Sequence, residues 1–273
     1  MITDWDDAYA NAVHIPDGAG FPARLARDSA AWRAGFDEAR FRTLTYGPDA
    51  RDVVELFLPE GPPKGLVIFV HGGFWLKFGP ADWSHLAAGA IARGWAMAFP
   101  GYRLAPTVRI SEITAAIARA VSVAAREVGG PIVLTGHSAG GHLAARMVCD
   151  DSALTVYERA RIARVVPISG LFDLRPLMLT TTYAVLALDL AEARAESPSL
   201  CEPIAGAPPL HVWVGGDERP EFVRQSMLMA NVWTGLGVDT RLTIEPGLHH
   251  FDVLDSLIEP GSPLVAALLG EAD

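Results

Sequence analysis

Pro131-Ile132-Val133-Leu134-Thr135 runs directly into Gly136-His137-Ser138-Ala139-Gly140, and Leu143-Ala144-Ala145 follows a few residues later. The first five residues are short, apolar and rich in branched side chains, as a buried strand requires. The small-residue stretch after them has helical spacing, which predicts a helix over 139–149. Between the two lies Gly-x-Ser-x-Gly. A strand that turns this abruptly into a helix needs small neighbours, because two backbones must pass closely. Such a turn strains the serine and exposes its hydroxyl at a helix N-terminus, where amide groups and the helix dipole favour negative charge. Ser138 is therefore the predicted nucleophile.

Working outward, the same alternation recurs. Gly65-Leu66-Val67-Ile68-Phe69-Val70 is continuously apolar, as in a strand covered on both faces. Strands are also predicted over 42–46, 53–58, 95–99, 163–168, 210–214 and 238–244. Helices are predicted over 29–40, 82–93, 111–128 and 219–236. In the third of these, apolar residues recur at helical spacing and Gly129-Gly130 closes the helix. Strands alternating with helices imply an α/β fold with a mainly parallel sheet and helices on both faces. No repeat or linker divides residues 1–273, so a single domain is expected. Residues 170–209 exceed an ordinary connection, and they are expected to form a small cap insertion over the site.

Half the residues are hydrophobic, a fifth are charged, and the net charge is −10. This globular, acidic composition argues against nucleic acid or an anionic membrane as partner, since both attract a basic face. Met1-Ile2-Thr3-Asp4-Trp5 lacks the apolar core of a secretory signal, and no apolar run approaches the ~20 residues of a membrane span. The expectation is a cytoplasmic protein. Cys149 and Cys201 are too few for a disulfide framework and read as free thiols. No histidine and carboxylate spacing suggests a metal site, and no cofactor is expected.

A nucleophilic serine needs a base, and the base needs an orienting acid, in the chain order serine, acid, histidine. Asp217 stands just past the predicted strand 210–214, at the end where α/β sites form. Asp239 precedes a strand and ranks below it. The histidine belongs in the loop after the last strand, Glu245-Pro246-Gly247-Leu248-His249-His250-Phe251, where two candidates are adjacent and periodicity does not separate them. His14, His85 and His211 lie elsewhere, and His137 and His142 flank the serine turn. Oxyanion donors are expected from the amides of Ala139 and of the glycine loop His71-Gly72-Gly73-Phe74-Trp75.

With these residues in place, the chain resembles a known group. His71-Gly72-Gly73-Phe74-Trp75 is similar to the HGGxW motif of kynurenine formamidase (arylformamidase) proteins. Tyr102-Arg103-Leu104-Ala105-Pro106 resembles a segment of the hormone-sensitive-lipase-like esterases. Leu248-His249-His250-Phe251-Asp252 resembles the closing segment of that group, in which the catalytic histidine precedes phenylalanine; the resemblance selects His250. It extends from about residue 40 to residue 260. It implies an α/β-hydrolase fold and hydrolysis of a small carboxylic ester or N-formyl arylamide, with a dedicated N-formylkynurenine formamidase as the narrower alternative. Trp75 stands near where the lipase-like esterases carry a third glycine, which favours the formamidase branch. In 170–209 only Glu196-Ser197-Pro198 finds a match. Phe74, Trp75 and Tyr183 are the expected pocket residues. A non-catalytic ligand-binding protein of this fold would usually lack a triad member, and Ser138, Asp217 and His250 are all present.

Overall fold

A computed structural model describes residues 2–271. Eight strands form one sheet: β1 (Phe41–Thr45), β2 (Val53–Phe57), β3 (Leu66–Val70), β4 (Ala96–Pro100), β5 (Ile132–His137), β6 (Ile162–Ile168), β7 (Leu210–Gly215) and β8 (Thr240–Glu245). Their order is β1-β2-β4-β3-β5-β6-β7-β8. The first two contacts, β1 with β2 and β2 with β4, are antiparallel, and every later pair is parallel. The chain thus has the expected α/β-hydrolase architecture.

The strand sequences explain why both faces are covered. In β3 all five residues are buried. Leu66, Ile68 and Val70 join one apolar cluster, whereas Val67 and Phe69 join the other. Alternate side chains leave opposite faces of a strand, so a continuous apolar run demands cover on both sides. The first face is covered by helices Ile110–Glu127, Ala139–Arg146 and Pro220–Gly235. The second is covered by Phe21–Ala34, a 3₁₀ stretch Pro80–Ala87 and Pro263–Leu269.

Several predicted boundaries moved. The N-terminal helix lies at Phe21–Ala34, earlier than 29–40, because Pro22 opens it and Gly35 closes it. It buries Phe21, Leu25 and Ser29, a four-residue spacing that defines one face. The stretch predicted as one helix over 82–93 is 3₁₀ at Pro80–Ala87 and α-helical only at Ala88–Ala92.

Segment 170–209 is folded down onto the first face. Phe172, Leu174, Leu177, Leu186 and Ala193 are buried in that core. Arg109 pairs with Asp189 and Glu192, Thr114 Oγ1 donates to Glu196, and Gln225 Oε1 accepts from the amides of Phe172 and Asp173. These anchors hold it beside the sheet.

The order β4-β3-β5-β6 places the Ser138 turn in the middle of the sheet, beside the loop that follows β3. That contact depends on glycine. A Cβ on Gly140 would lie 1.9 Å from the Val70 carbonyl oxygen, and one on Gly136 2.4 Å from the Gly140 oxygen. Both obstacles are backbone, so neither can rotate away. Gly140→Ala is expected to lower the unfolding free energy by about 3 kcal/mol or more, read by urea denaturation; an alanine variant within ~0.5 kcal/mol of the parent would contradict the close approach.

Candidate active site

Ser138 sits between β5 and helix Ala139–Arg146 at φ 56°, ψ −119°. Positive φ is costly for a side-chain-bearing residue and persists only where the surroundings enforce it. Here the Ser138 amide donates to Ile168 O at 2.9 Å, and its carbonyl accepts from His142 N at 3.1 Å. The strain turns the side chain into a cavity of about 320 Å³ that Ser138 shares with His250, His137, Gly73 and Phe74.

Loop 71–75 reaches the same place. A Cβ on Gly72 would fall 2.7 Å from His137 O and 3.2 Å from Ser138 Cβ, so only glycine lets this loop lie against Ser138. Gly73 has φ 108°. Among the described residues, the amides of Gly72, Gly73 and Ala139 have no hydrogen-bond acceptor. Three unsatisfied donors around one serine suit a developing oxyanion. The loop is braced from behind: His71 stacks on Tyr102 with ring centroids 4.1 Å apart, and Tyr102 Oη donates to His71 O at 2.9 Å. Tyr102 begins the Tyr-Arg-Leu-Ala-Pro segment, so that segment supports the donor loop.

His250 and His249 are separated clearly. His250 is 4% exposed, lines the cavity and lies with its ring tilted against those of Phe222 and His137. His249 is half-buried and turned to Asp252, with Nδ1 2.9 Å from its Oδ1. The partner of His250 corrects the expected acid. His250 Nδ1 lies 2.6 Å from Glu218 Oε2, and the Glu218 side chain is fully buried. Asp217 is exposed and does not touch His250; only its amide is engaged, donating to Leu248 O. The reason lies in the turn after β7. Gly216 N and Asp217 N bond to the strand and loop of β8, which sends the Asp217 side chain outward. Glu218 then folds back, with Oε1 accepting from Gly215 N at 2.9 Å and from Ser169 Oγ. Two adjacent carboxylates in Asp217-Glu218 were the available signal, and the extra methylene of glutamate spans the turn. Asp239 lies just before β8, at the opposite end of that strand. Because a carboxylate only accepts, the bond to Glu218 puts the proton on Nδ1 and leaves the Nε2 lone pair free.

The expected pocket residues divide. Phe74 lines the cavity. Trp75 is wholly buried against His142, 5.2 Å between centroids, and is a core residue. Tyr183 is 39% exposed and off the cavity, because 170–209 folds sideways onto the sheet. No residue of 170–209 reaches the wall. The roof is instead N-terminal: Tyr9 to Val13, Gly18, Ala19, Phe21 and Pro22 close the cavity. Tyr9 Oη donates to Glu221 Oε1 at 3.0 Å, Arg219 pairs with Asp7, and Phe21 stacks on Phe251 at 3.9 Å. Segment 170–209 helps from outside, as the Thr181 amide and hydroxyl donate to Asp6.

Comparison with known proteins agrees with this architecture. Residues 67–253 match the family described as alpha/beta hydrolase fold. A kynurenine formamidase of Danio rerio is 26% identical over 253 residues, spanning 88% of this chain and 86% of that protein. A crystal structure from a Silicibacter species, provisionally described as a thioesterase, is 46% identical with a TM-score of 0.91, covering 97% of this chain and 98% of that one. A propionate-bound esterase of Thermogutta terrifontis shares the fold at 20% identity and TM-score 0.63, over 78% of this chain and 85% of its own. The chain belongs to the alpha/beta hydrolase fold family. Within that family its likeness runs to the kynurenine-formamidase-like and lipase-like esterase group, and it is a hydrolase. No helix among the described residues is long and apolar enough to cross a membrane.

Glu218→Gln is expected to lower kcat by ~10³- to 10⁴-fold, the range for a triad acid whose loss leaves the imidazole in the wrong tautomer. Asp217→Asn should stay within about twofold; steady-state kinetics of the two variants separates the adjacent carboxylates. A second expectation concerns acid. Burial holds His71 down at about 4, His142 at about 3 and His137 well below the usual histidine value. These residues are neutral in the folded chain, whereas unfolded histidine binds a proton near pH 6.5. The unfolded state therefore takes up more protons below that pH. Stability should fall as pH drops from about 6.5 towards 4, by up to ~4 kcal/mol per pH unit if all three contribute. Denaturant titrations across that range check the slope.

Proposed function

We propose that this hydrolase cleaves small carboxylic esters or N-formyl arylamides through an acyl-enzyme on Ser138. The observation that carries the reading is the buried Glu218–His250 pair opening into the same cavity as Ser138. In this mechanism His250 Nε2 accepts the Ser138 proton as the hydroxyl oxygen attacks the carbonyl carbon. Glu218 holds the imidazole in the Nδ1–H tautomer and stabilises the imidazolium. The amides of Gly72, Gly73 and Ala139 receive the oxyanion, each such donor being worth ~10²- to 10³-fold in rate. The imidazolium returns its proton to the leaving oxygen or nitrogen, and water activated by His250 releases the acyl group.

The cavity supports a compact substrate. Its wall is mostly apolar, with Phe21, Phe74, Phe78, Trp83 and Phe251, and its volume of about 320 Å³ is at the small end for ligand sites. Such a volume suits a short acyl chain or a single ring. Besides Ser138, His137 and His250, Asn11 and Lys77 bring polar groups to this wall. The Asn11 side chain is 7% exposed, and Lys77 is the only lysine or arginine there among the described residues. They supply hydrogen bonds to a polar substituent. The named kynurenine formamidase relatives, alike along most of both chains, favour the narrower reading of a dedicated N-formylkynurenine formamidase. The Silicibacter structure adds acyl thioesters to the substrates worth testing.

Purified protein is to be assayed on p-nitrophenyl acetate, a short acyl thioester and N-formylkynurenine. Hydrolysis of a short ester or of the formamide is expected, with Ser138→Ala lowering kcat by ~10⁴-fold or more at unchanged thermal stability. Unchanged turnover in that variant would refute the acyl-enzyme. A kcat/KM on the formamide far below that on the ester would remove the dedicated formamidase reading.

A further inference from the structure

A second reactive cluster lies at the end of helix Ala139–Arg146 remote from Ser138, outside the cavity wall. Cys149 is buried just after that helix, and Cys201 is partly exposed after the 3₁₀ turn Pro198–Leu200. The two backbones run side by side: Asp150 N donates to Glu202 O and Ile204 N to Val148 O, both at 2.9 Å, with Cys149 opposite Pro203. The two sulfurs and an Asp151 carboxylate oxygen all lie within 4.8 Å of one another.

Three such donors invite a metal reading, but Arg146 occupies their centre. Its Nη1 donates to Cys201 Sγ at 3.3 Å and to Asp151 Oδ1 at 2.8 Å, and its Nε to Glu196 at 3.1 Å. The guanidinium is 4% exposed. A cation already neutralises this pocket, and a second would be repelled at short range. The same arrangement instead favours a thiolate on the accessible sulfur and leaves a neutral thiol within reach behind it.

We propose that Cys149 and Cys201 form a peroxide-oxidisable dithiol in which Cys201 is attacked first and Cys149 resolves it to a disulfide. The Cys201 thiolate sulfur displaces hydroxide from hydrogen peroxide. The O–O bond breaks, one oxygen stays as S–OH, and the other leaves as water after taking a proton. Cys149 then loses its proton and attacks the Cys201 sulfur. The S–S bond forms, the S–O bond breaks, and a second water leaves. Two thiols are oxidised and one peroxide is reduced. The sulfurs must close from within 4.8 Å to ~2.05 Å, by movement of the partly exposed turn that carries Cys201. The adjacent Cys149 sulfur and the nearby guanidinium hold the Cys201 thiol below the ordinary cysteine range; the neighbouring Cys201 sulfur, with burial, pushes Cys149 up.

The test uses the intact wild-type protein, treated with hydrogen peroxide, denatured, alkylated and mapped by mass spectrometry. The expected result is loss of both alkylatable thiols, a mass about 2 Da lower, and a Cys149–Cys201 peptide pair released by dithiothreitol. Closing a loop of about 50 residues should also raise Tm by several degrees. In Cys201→Ser the Cys149 thiol should survive the same treatment. In Cys149→Ala, dimedone should trap a sulfenic acid on Cys201. The proposal is overturned if both wild-type thiols survive peroxide that oxidises glutathione, or if Cys201 passes to sulfinic acid or an intermolecular disulfide without the internal bridge.

Discussion

The approach of two backbones at the centre of the sheet is the constraint on which the rest rests. Gly140 sits against the Val70 carbonyl, and Gly72 sits against His137 and Ser138. Without side chains at these points, helix Ala139–Arg146 lies close enough to β3 for the loop after β3 to reach Ser138. Three separate features then follow from one contact. The serine is held at positive φ, the first amide of its helix is left without an acceptor, and the glycine loop adds two more unpaired amides nearby. Pairing β5 directly with β3 makes this possible, and moving β4 to the far side of β3 leaves the space free.

The parallel ends of β7 and β8 bring the other half of the site. Their loops supply Glu218 and His250, and the hydrogen bonds of Gly216 and Asp217 to the β8 side lock the two loops together. Glu218 receives Ser169 Oγ, Gly215 N and His250 Nδ1, so its buried charge is matched by donors on three sides. A buried carboxylate without such partners would be costly. The proposed acid is thus positioned by the turn that was first read as the place of Asp217.

Most of the fold was legible because its strands are continuous apolar runs and its helices carry a clear period. Residues 65–70, 131–135 and 210–214 could hardly be anything but buried strands, and the serine turn between two such signals fixed its own surroundings. The carboxylate that pairs with His250 was expected one residue early, because adjacent residues of a turn point in opposite directions and spacing alone does not say which faces inward. His250 was not separable from His249 by period either; the likeness to a known family chose it, and the pairing with Glu218 agrees. Whether residues 1–39 cover the site was not legible, for another reason. Tyr9, Asn11 and Phe21 acquire their role only through contacts with Glu221 and Phe251, more than two hundred positions later, and no local pattern announces a contact of that range. The length of 170–209 drew attention instead, but that segment packs Phe172, Leu174, Leu177, Leu186 and Ala193 into the core beside the sheet.

The tethering of Tyr9 to Glu221 and Gln225 has a consequence for the order of events during synthesis. The stretch that closes the cavity is synthesised well before the helix Pro220–Gly235 that receives it. The early segment has no docking site until β7 and that helix exist. The roof and the wall that carries His250 and Phe251 are therefore completed together, late in folding, and the cavity has no unroofed stage built ahead of its last strands.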